Sequence, residues 1–149
     1  MKILVSACLM GVACRYDATS KPNASVREFL KNHEPVLICP EVMGGLPIPH
    51  PPHEIRTAEA DLRVCDAQGR DNAERFLAGA RRVLACAREE GCGHAILKSK
   101  SPSCGVGLVY DGGFSGTLTA RDGVTTELLR EAGIVVADEN DFMTVFGLE

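Results

Sequence analysis

Ile3-Leu4-Val5-Ser6-Ala7 is a short, uninterrupted apolar run that stops at Cys8. Its residues do not alternate between polar and apolar, so a strand built from them is buried on both faces, as in a parallel sheet. Moving outward, runs of the same kind recur at Val36-Leu37-Ile38 after Pro35, at Ala95-Ile96-Leu97 and at Ile134-Val135-Val136-Ala137. Gly107-Leu108-Val109-Tyr110 reads as a further edge strand. Helical patterns fill the gaps. Ser25 and Glu28 have the spacing of a capping box, and Val26, Phe29, Leu30 and His33 follow on one helical face. From Asn72, the positions Phe76, Leu77, Ala80, Val83, Leu84 and Ala87 hold a helical period, which stops at Gly91, a good C′ residue. A third helix is expected from about Gly123 to Ala132, with Gly133 ending it. Strand–helix–strand alternation with short connections predicts a doubly wound α/β domain with a short, mostly parallel sheet.

Composition agrees. A length of 149 residues suits one domain spanning 1–149, with no internal repeat or linker to divide it. Hydrophobic residues at 45% and charged residues at 24% exclude a disordered or fibrous chain. A net charge of −4 offers no basic footprint for nucleic acid or anionic membrane. No apolar run is long enough to span a bilayer, and the N-terminal run is too short for a secretory signal. A cytoplasmic, reducing location is therefore expected. Two segments stand apart. Residues 40–58 carry five prolines and the Gly44-Gly45 pair, which predicts a long, non-helical functional loop. Residues 111–122 form a second, Gly-rich loop that reads as a flap or a hairpin turn.

The seven cysteines are the unusual feature: Cys8, Cys14, Cys39, Cys65, Cys86, Cys92 and Cys104. Their odd number cannot pair fully within one chain, and no Cys-x-x-Cys occurs. That removes the thioredoxin motif, the zinc ribbon and the local ferredoxin run. Any metal ligands must come from distant positions that meet only in the fold. Cys8 follows the first strand, Cys39 the second, and Cys104 lies in the loop past the third. Ligands of an open parallel sheet bind outside the carboxyl ends of its strands, so these three thiols should share one edge. Cys14 is the one candidate for a fourth ligand. Cys65, Cys86 and Cys92 read as small core or surface residues. Three thiolates suit either zinc with an open position or an iron–sulfur cluster with one unique iron, and the residues alone leave both open. His50 and His53 read as solvated loop residues, and Glu41 taken alone as an exposed carboxylate.

Three blocks carry a family likeness. The first is Val5-Ser6-Ala7-Cys8-Leu9-Met10-Gly11 with Cys14-Arg15-Tyr16-Asp17. The second is Cys39-Pro40-Glu41 with Gly44-Gly45-Leu46-Pro47 and Pro51-Pro52-His53-Glu54-Ile55. The third is Leu97-Lys98 with Ser101-Pro102-Ser103-Cys104-Gly105 and Tyr110-Asp111-Gly112-Gly113-Phe114-Ser115-Gly116. Together they resemble the thiouracil desulfidase family, essentially end to end. The resemblance implies a Rossmann-like three-layer domain and an oxygen-sensitive 4Fe-4S cluster held by Cys8, Cys39 and Cys104. It further implies that the open iron receives the sulfur of a thiolated pyrimidine such as 2-thiouracil, in a hydrolysis without net redox change. Glu41 is the implied acid–base residue and Ser101 a second catalytic helper, with Ser103 as an alternative for its role. The expected partner is a small thiolated base or nucleoside. This chain departs from the family's pattern at two loop positions, with His50 where Arg is commoner and Ala18 where Gly is commoner.

Arg15, Asp17, Ser103 and Lys98 lie near strand ends, where they could meet the polar edge of a pyrimidine or make ordinary ion pairs and solvated contacts. Two other functions compete. One is cluster-free catalysis with Cys104 as nucleophile and His94 or Glu41 as base. The other is a non-enzymatic cluster that senses oxygen or iron, or that passes sulfur to a partner.

Overall fold

The computed structural model describes residues 1–56 and 61–148. Four parallel strands form the central sheet: β1 (Lys2–Ser6), β2 (Glu34–Ile38), β5 (His94–Leu97) and β8 (Val135–Asp138). Their order is β2-β1-β5-β8, with Ser6 beside Ile38, Val5 beside Ile96 and Leu97 beside Asp138. The four apolar runs are these four strands. Chain order reverses between β1 and β5, which puts a crevice at their carboxyl ends. Alternate residues of β1 feed two cores: Leu4 packs with Val83, Leu84, Ala87 and Leu129, whereas Ile3 and Val5 pack with Val26, Leu30 and Phe142. Helices α3 (Ala73–Glu90) and α4 (Val124–Glu131) thus cover one face, and α1 (Ala24–Leu30) and α5 (Phe142–Val145) the other. The result is the three-layer α/β arrangement expected.

Helix α3 runs as its period predicts, and Gly91 closes it at φ 72°, a conformation that costs a residue without Cβ little. The capping box does not form. The N-cap of α1 is Asn23, whose side chain accepts the Val26 N–H at 3.0 Å, so the helix begins before Ser25. The proline-rich segment is also more regular than its composition suggests. Pro40–Met43 is a turn of helix, α2, because a proline at N1 gives up an N–H that a helix leaves unpaired anyway. His53–Arg56 (β3) pairs antiparallel with Arg63–Asp66 (β4), which contains Cys65. Positions 57 and 58 of the expected loop lie outside the described residues. Leu108–Tyr110 (β6) is not an edge of the main sheet. It pairs with Leu118–Ala120 (β7) in a small hairpin of its own.

Two glycines bring α2 against α3. A Cβ at Gly79 would collide with the Pro40 carbonyl oxygen, and one at Gly44 with the carbonyl oxygen of Arg75. Backbone therefore lies on backbone at this crossing. The contact fixes α2, and with it Cys39 and Glu41 at the end of β2.

Candidate active site

The carboxyl edge of the sheet opens into a cavity of about 270 Å³. Cys8, Cys14, Cys39 and Cys104 all line it, together with Arg15, Tyr16, Glu41, His53, Lys98 and Ser101. Cys8 sits in the 3-10 turn Ala7–Met10 that ends β1, and Cys39 is the N-cap of α2 at the end of β2. Cys104 lies past β5 in a turn held by Ser101, whose Oγ accepts the N–H groups of Ser103 at 3.2 Å and Cys104 at 3.1 Å. Behind it, Thr126 donates to the Cys104 carbonyl at 3.0 Å. Lys98 N–H donates to Ser6 Oγ at 2.9 Å and ties β1 to the loop after β5.

The remaining cysteines are elsewhere. Cys65 is buried in β4, Cys86 lies on α3, and Cys92 precedes β5 at the opposite edge of the sheet.

The four thiols are electrostatically unlike. Burial pushes Cys8 up to about 11 and Cys104 up to about 12, so both are neutral at pH 7 without a metal. Cys39 is pushed below the usual thiol range. Its side-chain interaction with Cys14 is the main cause, acting against the cost of burial, and N–H groups of Val42 and Glu41 add to it; Cys39 Sγ also lies 3.5 Å from the Cys14 carbonyl oxygen, as a donor to it. Cys14 is raised by the same side-chain interaction and by burial.

The donor set is compatible with an iron–sulfur cluster. Thiolates are its chemistry. Among the described residues, no three His, Cys, Asp or Glu side chains close on one point that could hold a metal ion. The four thiols line the cavity. A bound metal core would also supply the positive charge that deprotonates Cys8 and Cys104.

Of the other expected residues, Glu41 and Arg15 line the cavity. The Arg15 guanidinium lies 5.5 Å from the Tyr16 ring centroid. Asp17 is not among the lining residues. It is exposed, and its carboxylate accepts from the N–H and hydroxyl of Thr19. Ser103 is fully buried behind Ser101, with its hydroxyl 3.0 Å from Ser101 Oγ and donating to Cys104 Sγ at 3.7 Å. His94 begins β5, at the amino edge of the sheet, where its ring packs against Phe146. It therefore cannot be the base for Cys104 at the carboxyl edge, and the raised Cys104 thiol is the opposite of an activated nucleophile.

Three features were not readable from the sequence. Lys98 pairs with Glu139 at 2.8 Å, and Glu139 also accepts from the Ser99 N–H and hydroxyl. Burial opposes the charge on Glu139, yet the Lys98 hydrogen bond and charge hold its carboxyl below the usual range. The Gly-rich turn between β6 and β7 is docked rather than free, since Glu54 accepts the N–H groups of Gly112 and Phe114 at 3.0 and 3.2 Å. Finally, His50 and His53 are buried, not solvated, at 9% and 5% exposure. No short-range signal announces any of these, because each depends on segments distant in sequence.

Comparison with known proteins agrees with this architecture. Residues 3–141 match the family model for 2-thiouracil desulfurase. The uncharacterized protein YbbK of Bacillus subtilis (strain 168) is 40% identical over 145 residues, which is 93% of this chain and 96% of that protein. The solved structure of a protein described as the 4Fe-4S-dependent thiouracil desulfidase TudS superposes with a TM-score of 0.87 at 39% identity, covering 97% of this chain and 95% of that one.

Proposed function

The chain belongs to the 2-thiouracil desulfurase family, and from that premise we propose that it is a cluster-dependent desulfidase that replaces the sulfur of a thiolated pyrimidine with oxygen. The observation that carries this reading is the convergence of Cys8, Cys39 and Cys104 with the Glu41 carboxylate on one cavity. Those three thiolates would hold a 4Fe-4S cluster. When bound, the cluster supplies a soft Lewis acid suited to a thiocarbonyl sulfur.

The remaining roles fall to the chain. Water supplies the oxygen of the new carbonyl. The carbon–sulfur bond breaks with its electron pair on sulfur, and hydrosulfide leaves, so nothing is oxidised or reduced. Glu41 takes the proton from the attacking water and returns one to the product or leaving sulfur. Ser101 holds the turn that presents Cys104, and its hydroxyl borders the cavity, where it orients the water or the ring oxygen. Arg15 offers hydrogen-bond donors to the polar edge of the base. Cys14 lines the same cavity beside Cys39, its carbonyl oxygen 3.5 Å from Cys39 Sγ. Asp17 and Ser103 lie outside the lining, so their contribution is to local loop structure.

Anaerobically purified protein incubated with 2-thiouracil should release uracil and sulfide in equal amounts, with no partner protein and no added reductant. Release of sulfide only with a reductant or an acceptor protein would replace hydrolysis by a sulfur-transfer function.

A further inference from the structure

His50 lies outside the cavity lining, yet it touches the one carboxylate to which we assign proton transfer. Its Nε2 is 3.3 Å from Glu41 Oε1, and its side chain is 3% exposed. The ring is anchored from behind, because Nδ1 lies 2.6 Å from the Pro47 carbonyl oxygen. A carbonyl only accepts, so Nδ1 must carry a hydrogen. The Nε2–Oε1 contact then contains a hydrogen of its own, since two acceptors would repel. The backbone is tied as well: His50 N–H donates to the Tyr16 carbonyl at 2.8 Å. One residue therefore links the Pro47 loop, the Arg15-Tyr16 loop and Glu41 of α2.

The surroundings leave His50 no other use. Its ring faces His53 at 5.7 Å and Tyr16 at 6.4 Å between centroids. His53 is already committed, with Nδ1 2.7 Å from the Pro51 carbonyl and Nε2 2.9 Å from the Asn72 amide. Glu41 Oε1 is held by His50, and Oε2 has no hydrogen-bond partner among the described residues.

We infer that His50 is the positioning residue for Glu41: a buried strut that fixes Oε1 through the hydrogen it shares with Nε2 and leaves Oε2 for the reacting water. This rests on the desulfidase reading for its consequence, but the strut itself does not.

The test uses three substitutions and two readouts. His50→Ala should keep its iron and sulfide content and leave KM within about twofold, while kcat falls about a hundredfold, the cost of a misplaced catalytic group. His50→Gln keeps an amide able to hydrogen-bond Glu41 near the Nε2 position and should recover most of the lost kcat. Equal kcat in wild type and His50→Ala, or failure of His50→Gln to exceed His50→Ala, would overturn the assignment. The second readout needs neither cluster nor turnover. In metal-free protein, the imidazole nitrogen resonances of His50 should show a hydrogen on Nδ1, and the Nε2 resonance should move in Glu41→Gln more than those of His53. A hydrogen-free Nδ1, or an Nε2 resonance indifferent to Glu41→Gln, would remove the strut even if the variants fold poorly. If wild-type protein does not turn over 2-thiouracil while the ring resonances behave as stated, the functional reading fails and the strut stands.

Discussion

Replacing Gly79 with alanine should damage the site through α2, which packs against it. Alanine is the better helix former by about 1 kcal/mol, so propensity alone predicts a more stable protein. The packing predicts the reverse. A Cβ at Gly79 would collide with the Pro40 carbonyl oxygen and lie 2.9 Å from the carbonyl carbon. Ordinary carbon–carbon contacts lie at roughly 3.5–4.0 Å, so α2 must withdraw by about 1 Å. Overpacking of this kind costs about 1–3 kcal/mol, and subtracting the propensity gain leaves a net loss of up to about 2 kcal/mol. Because Cys39 caps α2 and Glu41 lies in its first turn, both move with it. A shift of about 1 Å in a reacting group can cost about a hundredfold in rate. Urea unfolding and thiouracil turnover would be measured side by side, with exposed Glu89→Ala on the same helix as control. Gly79→Ala at wild-type stability or above, with full turnover, would show that the glycine crossing does not fix the site.

Other outcomes follow from single contacts. Glu41→Gln should retain the cluster and lose turnover by about 10²–10⁴-fold, the usual worth of a general acid–base group; full turnover with an intact cluster removes Glu41 from the mechanism. Glu139→Gln breaks a pair whose side chains are 20% and 9% exposed and should lower stability in urea at pH 7. The Glu139 carboxyl is held below its ordinary value of 4.5, so its contribution is complete above that pH and is lost as pH falls through the lower folded value. Wild-type stability should therefore fall on acidification more steeply than that of Glu139→Gln. Asp17→Ala should change stability by less than about 0.5 kcal/mol and leave turnover intact, because among the described residues its exposed carboxylate hydrogen-bonds Thr19; a large loss of turnover would return Asp17 to the site.

What could be read in advance was what local chemistry encodes. The four strands are uninterrupted apolar runs, which mark burial on both faces; the central β1 and β5 have it, whereas at the sheet edges Leu37 of β2 and Val135 of β8 are 45% and 40% exposed. Placing Cys8, Cys39 and Cys104 after three of them needs only the rule that parallel strands share a carboxyl edge. The exceptions have equally local causes. Pro40 breaks a helix interior but not its first position, so α2 was hidden by the residue that starts it. Strands β3 and β4 mix His53, Glu54, Arg56, Arg63 and Asp66 with few apolar positions, so hydrophobic periodicity does not mark their antiparallel pairing. His50 sits between prolines in a polar stretch. Its burial depends on α2 and the Tyr16 loop closing over it, which no window of sequence contains.

The central claim is that three particular thiols hold an iron–sulfur cluster. The most direct measurement is iron and acid-labile sulfide per chain after anaerobic purification, for wild type and single cysteine variants. About four of each are expected in wild type. Cys8→Ser, Cys39→Ser and Cys104→Ser should each lose them, whereas Cys65→Ala and Cys86→Ala should not. Zinc in place of iron, or a cluster that survives all three serine substitutions, would contradict the account.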